Sequence, residues 1–167
     1  MDLLKDERYL AQNAMITAHI ALTLAAQALP VTLAACPTLV LGFGRIGKCL
    51  CRLLDAIGTP VTVAARKPQD LALAEALGYG AVNIHRVEPL LHQYRLIMNT
   101  VPAPVLSLAQ QKSCHSDCIK LELASRAGIE GDAIQARGLP AKYAPESSGR
   151  LIGQTILRLL AERECAP

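Results

Sequence analysis

One run of glycines limits this chain more than any other feature. Gly42-Phe43-Gly44-Arg45-Ile46-Gly47 follows the aliphatic segment Thr38–Leu41 and opens a helical stretch that runs to Ile57. In a strand–turn–helix setting each glycine of such a motif has a physical job. Gly42 permits the tight turn, Gly44 lets the backbone approach a phosphate, and Gly47 lets helix and strand pack closely. The free N–H groups at the helix start, with the helix dipole behind them, form an anion site that suits a diphosphate. Phe43, Arg45 and Ile46 contribute mainly their backbone. Alone, the motif also fits a structural turn, so its surroundings decide.

Those surroundings repeat the same alternation. Residues 3–29 read as a helix stopped by Pro30, and Gly58 closes the motif helix as a C-cap residue would. Pro60–Ala65 reads as a second strand and Pro68–Leu77 as its helix, ended by Gly78. Ala81–Ile84 is a third strand, Val87–Gln93 a short helix or turn, and Leu96–Thr100 a fourth strand closed by Pro102 and Pro104. Val105–Lys112 reads as helical, Cys118–Leu123 as a fifth strand, Ala133–Ala136 as a very short sixth, and Glu146–Arg163 as a closing helix. Composition agrees: 51% of the 167 residues are hydrophobic but only 3% aromatic, so aliphatic side chains must fill the core. Aliphatic runs alternating with helices predict a buried parallel sheet built from βαβ units. The expected fold is therefore α/β, a doubly wound parallel sheet of Rossmann type with five or six strands and helices on both faces. Residues 1–30 are expected to form a helical segment packed on a dinucleotide-binding domain of residues 31–167.

Several function classes fall away. A net charge of +3 with one Phe and four Tyr offers neither the field nor the stacking platform of a nucleic-acid binder. The apolar stretch from Ala14 to Leu29 is broken by His19 and Gln27 and is shorter than the ~20 residues that span a bilayer. The six cysteines, Cys36, Cys49, Cys51, Cys114, Cys118 and Cys165, do not repeat as metal-binding pairs, so no metal is expected. Reduced thiols suit a cytoplasmic location.

The second strand bears on cofactor choice. An NAD site places an acid at its end to accept from the ribose 2′-OH. Here the strand ends Val63-Ala64-Ala65-Arg66-Lys67, with no acid, and the two cations suit a 2′-phosphate instead. NADP(H) is therefore expected over NAD(H), although Arg66 and Lys67 also read as ordinary surface cations. Asn99-Thr100-Val101-Pro102 after the fourth strand and Ala124-Ser125 after the fifth lie where strand ends face the ligand crevice. Either could contact ribose and nicotinamide or be a plain strand-ending turn.

Taken in order, Gly42–Gly47, Val63–Lys67, Asn99–Pro102, Leu123-Ala124-Ser125 and Gly138-Leu139-Pro140-Ala141-Lys142-Tyr143-Ala144-Pro145-Glu146-Ser147-Ser148-Gly149 resemble the C-terminal dinucleotide-binding domain of the dipicolinate synthase A subunit. The last stretch is the most specific. The resemblance implies NADP⁺-dependent oxidation of dihydrodipicolinate to dipicolinate in sporulating bacteria, beside a flavoprotein-like B subunit. It also implies that the Pro140–Ser148 loop lies near the nicotinamide, with Pro140 and Ser147 against the cofactor. Lys142 is then a candidate for gripping a substrate carboxylate, or a solvated loop lysine.

The sequence departs from that pattern in three places. No counterpart of the family's N-terminal domain is present, so the substrate half is expected to be missing or supplied by a partner or separate domain. Ala141 stands where the family has glycine, and the segment from Arg126 to Gly138 is short for a helix between the fifth and sixth strands. The four histidines, His19, His85, His92 and His115, are scattered, and no catalytic acid or base is assigned. Whether the chain is an enzyme stays open, as does a homo-oligomer. An incomplete oxidoreductase domain is one reading, and a non-catalytic NADP(H)-binding regulatory or docking module is the other. A dehydrogenase of the shikimate or 2-hydroxy-acid type is also compatible with the Asn-Thr-Val-Pro turn.

Overall fold

The computed structural model describes residues 2–164. Six strands form one parallel sheet: β1 (Thr38–Leu41), β2 (Val61–Ala65), β3 (Gly80–Asn83), β4 (Leu96–Asn99), β5 (Ile119–Glu122) and β6 (Ile134–Gln135). Their order is β3-β2-β1-β4-β5-β6, so β1 pairs with β2 on one side and β4 on the other. The order reverses between β1 and β4, and ligands of such sheets bind at that reversal, outside the carboxyl ends of the strands.

The central strands β1, β2 and β4 read as largely aliphatic runs because both faces are covered. Val40, Val63, Met98 and Leu121 point into one core with Ala18, Ala21, Leu50 and Leu54. Leu39, Leu41, Ala64 and Ile97 point into a second core with Leu91, Tyr94, Leu106 and Ile129. Helices α1 (Glu7–Ala28), α2 (Arg45–Ala56) and α3 (Pro68–Ala76) contribute to the first. The opposite face carries thinner cover, a 3₁₀ turn at Glu88–Gln93 with Leu106 and Ile129 from the segments after β4 and β5, while the single-turn helix α4 (Leu108–Gln111) buries none of its residues.

Helix α1 buries Ala14, Ala18, Ala21 and Ala25, a stripe of small residues that permits close approach to α2. Asp6 caps it, its carboxylate accepting from the Tyr9 N–H at 2.7 Å. Two further helices close the chain, α5 (Leu139–Tyr143) and α6 (Pro145–Glu164), and Arg158 on α6 reaches back to Asp6 at 2.7 Å. No described helix is long and apolar enough to cross a membrane.

Two expected elements differ. The helix read over Val105–Lys112 shrinks to α4 because Val105 and Leu106 are drawn out of it: both donate their N–H to the Gly128 carbonyl, and Leu106 bridges Ile129. The stretch expected as a loop from Pro140 to Ser148 is largely helical, one turn of α5 followed by the start of α6. Gly138 starts it at φ 63° and Leu139 and Pro140 are buried. No helix lies between β5 and β6, as the short segment there leads one to expect.

Candidate functional site

The glycine turn sits at the reversal point. Gly42 adopts φ 95°, and its N–H donates to the Ala64 carbonyl at 2.8 Å. A Cβ at Gly42 would meet Thr100 Oγ1 at 2.6 Å, and one at Gly47 would run into the Gly42 carbonyl. The protein itself therefore requires both glycines, one for backbone shape and close packing, the other for helix–strand contact. Gly44 is different. It is the N-cap of α2 with φ −79° and ψ −163°, an ordinary extended conformation, and a Cβ there would meet nothing within 4 Å. Nothing in the protein asks for glycine at 44, and the residue is exposed. The N–H groups of Gly44, Arg45 and Ile46 find no acceptor among the described residues. Together they leave an open, donor-lined cradle at a helix N-terminus.

Arg45 does not lie over that cradle unopposed. Its Nη2 contacts both carboxylate oxygens of Glu7 at 2.7 and 2.6 Å, tying the turn to the start of α1. Both side chains are more than half exposed, so the pair contributes little energy. Phe43 and Ile46 pack inward, and Lys48 Nζ lies 5.5 Å from the Phe43 ring.

Arg66 and Lys67 follow β2 directly and are exposed, and neither forms an ion pair among the described residues. Asp70 lies in the first turn of α3, so no acid stands at the end of β2 itself. A cleft of about 670 Å³ opens between Ile84 and His85 after β3 and the segments after β4 and β5, at Val105–Ser107 and Gly128–Glu130. No residue of the glycine turn lines it.

The ends of β4 and β5 are joined by a residue the sequence reading missed. Glu122 ends β5 and is fully buried. Its Oε1 accepts from Asn99 Nδ2 (2.9 Å) and the Ala124 N–H (3.0 Å). Its Oε2 accepts from Asn99 Nδ2 (3.0 Å), the Gly128 N–H (2.7 Å) and the Ile129 N–H (2.9 Å). Asn99, also fully buried, turns its side-chain oxygen to the Val101 N–H at 2.9 Å, and its Nδ2 also reaches the Val101 carbonyl. Because the carboxylate faces only donors, the Asn99 amide must point its nitrogen there. Thr100 donates its hydroxyl and its N–H to the Leu41 carbonyl, both at 2.9 Å. The three turns after β1, β4 and β5 are thereby joined in one hydrogen-bonded chain.

The remaining predicted residues are spread around this edge. Val101 is half-buried and Pro102 exposed; Ala124 is buried and Ser125 exposed. Pro140 is buried within α5, while Lys142 is exposed with its ammonium 5.0 Å from the Tyr143 ring. Ser147 is exposed in the first turn of α6 and lines a groove between α6 and α1. His85 lines the cleft. Burial raises the thiol pKa of Cys36, Cys49 and Cys114, and pushes those of Cys51 and Cys118 up to about 12; all five are free. Cys165 lies outside the described residues. Among the described residues no group of three or more His, Cys, Asp or Glu could hold a metal ion.

One signal could have exposed Glu122. Lys120-Leu121-Glu122-Leu123 looks like a half-buried alternating strand with its charges in solvent. A strand central in a doubly wound sheet has no solvent face at its carboxyl end, so an acid there needs internal donors.

A parallel sheet in this order, with a glycine turn at its reversal, defines a nucleotide-binding domain of oxidoreductase-like α/β fold. Its relatives agree. The chain is 29% identical over 159 residues to the dipicolinate synthase A subunit of Bacillus subtilis, a match covering 90% of the chain and 54% of that protein. The crystal structure of the dipicolinate synthase A subunit from Bacillus halodurans superposes with a TM-score of 0.91 at 26% identity, over all of this chain and 59% of that one. A transhydrogenase from Sinorhizobium meliloti shares the fold, with a TM-score of 0.78 at 16% identity over 91% of this chain and 55% of that one. No protein-family model matches. The chain is thus a homologue of the dipicolinate synthase A subunit, the relationship its motifs imply, and it spans about half the length of that curated relative.

Proposed function

We propose that this chain binds NADP(H) along the carboxyl edge of its sheet, as the cofactor-binding half of a dipicolinate synthase-like oxidoreductase. The observation that carries this reading is Gly44. Its backbone does not need glycine and no neighbour excludes a side chain, yet it sits amid unpaired N–H groups at a helix N-terminus. A phosphate drawn close to that backbone accounts for both. The adenosine half would then run past Arg66 and Lys67, whose unpaired charges suit a 2′-phosphate. The nicotinamide half would rest on the turns at Asn99–Pro102 and Ala124–Ser125, with Pro140 and Ser147 as further candidate contacts.

When bound, the dinucleotide supplies the hydride acceptor for oxidising dihydrodipicolinate to dipicolinate. What this chain supplies is placement. Glu122, the acid that ends β5, is enclosed and saturated with donors, so it is not open to a substrate. On this reading the substrate wall and a proton acceptor come from another part of the assembly, a separate substrate domain or a flavoprotein-like B-type subunit. Lys142, exposed and held over Tyr143, would grip a substrate carboxylate at that boundary. The same enclosure of Glu122 favours the second reading, a non-catalytic NADP(H)-binding module.

Calorimetric titration of the chain with NADPH and NADH separately tests the reading, with tighter binding of NADPH expected. Tighter binding of NADH would overturn the cofactor choice, and binding of neither would overturn the reading itself. Dihydrodipicolinate oxidation should be absent or poor with the chain alone and appear with the partner. Persistent inactivity with every partner, while NADPH binds, would favour the second reading.

A further inference from the structure

The buried carboxylate of Glu122 is an expensive object. A charge removed from water costs several kcal/mol unless its oxygens are fully engaged, and this one has no cation beside it, only donors. Three of those donors lie outside the strands, and the fourth, Asn99, is the last residue of β4. Ala124, Gly128 and Ile129 lie in the turn after β5, and Asn99 governs the turn after β4 through both groups of Val101. The sheet beside it is already apolar on both faces, with Ile97, Met98 and Leu121 fully buried. The loop after β4 has little of its own to hold it, because Pro102 and Pro104 carry no N–H.

A second feature points the same way. Gly128 packs so closely on the β4 loop that a Cβ there would collide with the Ala103 carbonyl, lie 2.5 Å from Asn99 Nδ2 and 2.9 Å from the Val101 carbonyl. Beside the backbone bonds from Val105 and Leu106 to the Gly128 carbonyl, the two loops are thus fastened by a shared carboxylate and by contact only glycine allows.

We propose that Glu122 is a positioning residue. Holding the loops after β4 and β5 in one arrangement, it sets how the nicotinamide half of a bound dinucleotide is seated without touching it. The proposal rests on the dinucleotide reading above and adds to it a division of labour: the adenosine half is held elsewhere and does not depend on Glu122.

Two ligands separate the halves. The chain, its Glu122→Gln variant and its Gly128→Ala variant are titrated with NADPH and with adenosine 2′,5′-bisphosphate, which lacks the nicotinamide. In Glu122→Gln an amide NH₂ must face N–H donors, and in Gly128→Ala the carboxylate stays while the loops are pushed apart. Both variants should lose about tenfold or more in NADPH affinity and keep adenosine 2′,5′-bisphosphate within about twofold. Equal loss of both ligands, or of neither, overturns the proposal while the dinucleotide reading stands. Failure of the unsubstituted chain to take up either ligand overturns the reading itself and the proposal with it. Amide hydrogen exchange on the unsubstituted chain needs no variant to fold. The amides of Val101, Ala124, Gly128 and Ile129 should open together in one event, and exchange of Val101 independent of the other three overturns the proposal.

Discussion

At the end of β2, Arg66 and Lys67 leave two charges standing in water without ion-pair partners among the described residues, while at the end of β5 Glu122 takes one charge wholly out of it. These two stretches of the same sheet edge use electrostatics differently. Exposed cations cost almost nothing to maintain and act at a distance, so they suit recruiting a mobile anion. A buried carboxylate has little reach but fixes every donor around it, so it suits shaping a surface. The contrast is that of a region that attracts and a region that shapes, with the glycine turn between them.

Substitutions can break this comparison, and they are expected to differ in size. Glu122→Ala should have the largest effect, because it strands buried N–H groups and the Asn99 amide; a stability loss of about 3–5 kcal/mol is expected in urea unfolding. Gly47→Ala comes next. Its new methyl group must displace the Gly42 carbonyl, which should cost about 1–3 kcal/mol of stability and disturb nucleotide binding together. Gly44→Ala separates those two consequences: calorimetry should show binding lost while the unfolding midpoint reports no more than about 1 kcal/mol, the scale of an N-cap exchange.

Arg66→Ala should weaken NADPH by about 1–3 kcal/mol, leave NADH nearly unchanged and leave stability alone. If NADH weakens equally, the attracting region is misassigned. The smallest effect lies away from both regions. The Asp6 carboxyl is held below its usual range, first by its hydrogen bond to Arg158 and then by the Tyr9 N–H. Its folded pKa lies below its unfolded one, so its contribution is present above pH 3.8 and lost as pH falls through the folded value. Thermal unfolding of Asp6→Asn should differ slightly from the parent at neutral pH and converge on it in strong acid, with nucleotide affinity untouched.

How much of this was legible in the sequence follows from the same contrast. β1 was readable to the residue because Thr38 and three aliphatic residues ran straight into a glycine turn. The exposed pair after β2 was readable because surface charge declares itself by residue type. Val105 and Leu106 were misread as helix because their apolar spacing fits one; only the approach of Gly128, from another strand's loop, pulls them into a bridge. The Pro140–Ser148 stretch read as loop because it resembles a proline-containing loop of the family, although Pro140 sits in the first turn of α5, where a missing N–H costs least. Glu122 was invisible for the converse reason. Three of its partners are backbone groups that leave no mark on composition or periodicity, and the fourth, the Asn99 amide, becomes a neighbour only when β4 and β5 are side by side.

The strand order also implies a sequence of assembly. Thr38 meets Val61 through one short crossover, but it meets Leu96 only after β2, β3 and their connections have been laid down. Loop closure grows costlier with the length closed, and long-range pairings form late. The half formed by β1, β2 and β3 should therefore collapse first, carrying the glycine turn and the Arg66–Lys67 pair, and the half formed by β4, β5 and β6 should dock onto it afterwards. The seam between early and late halves is the reversal point itself, so the crevice does not exist until the last step of folding and is the first thing lost when the halves part. A nucleotide lying across that seam would act as a staple, slowing unfolding more than it speeds folding.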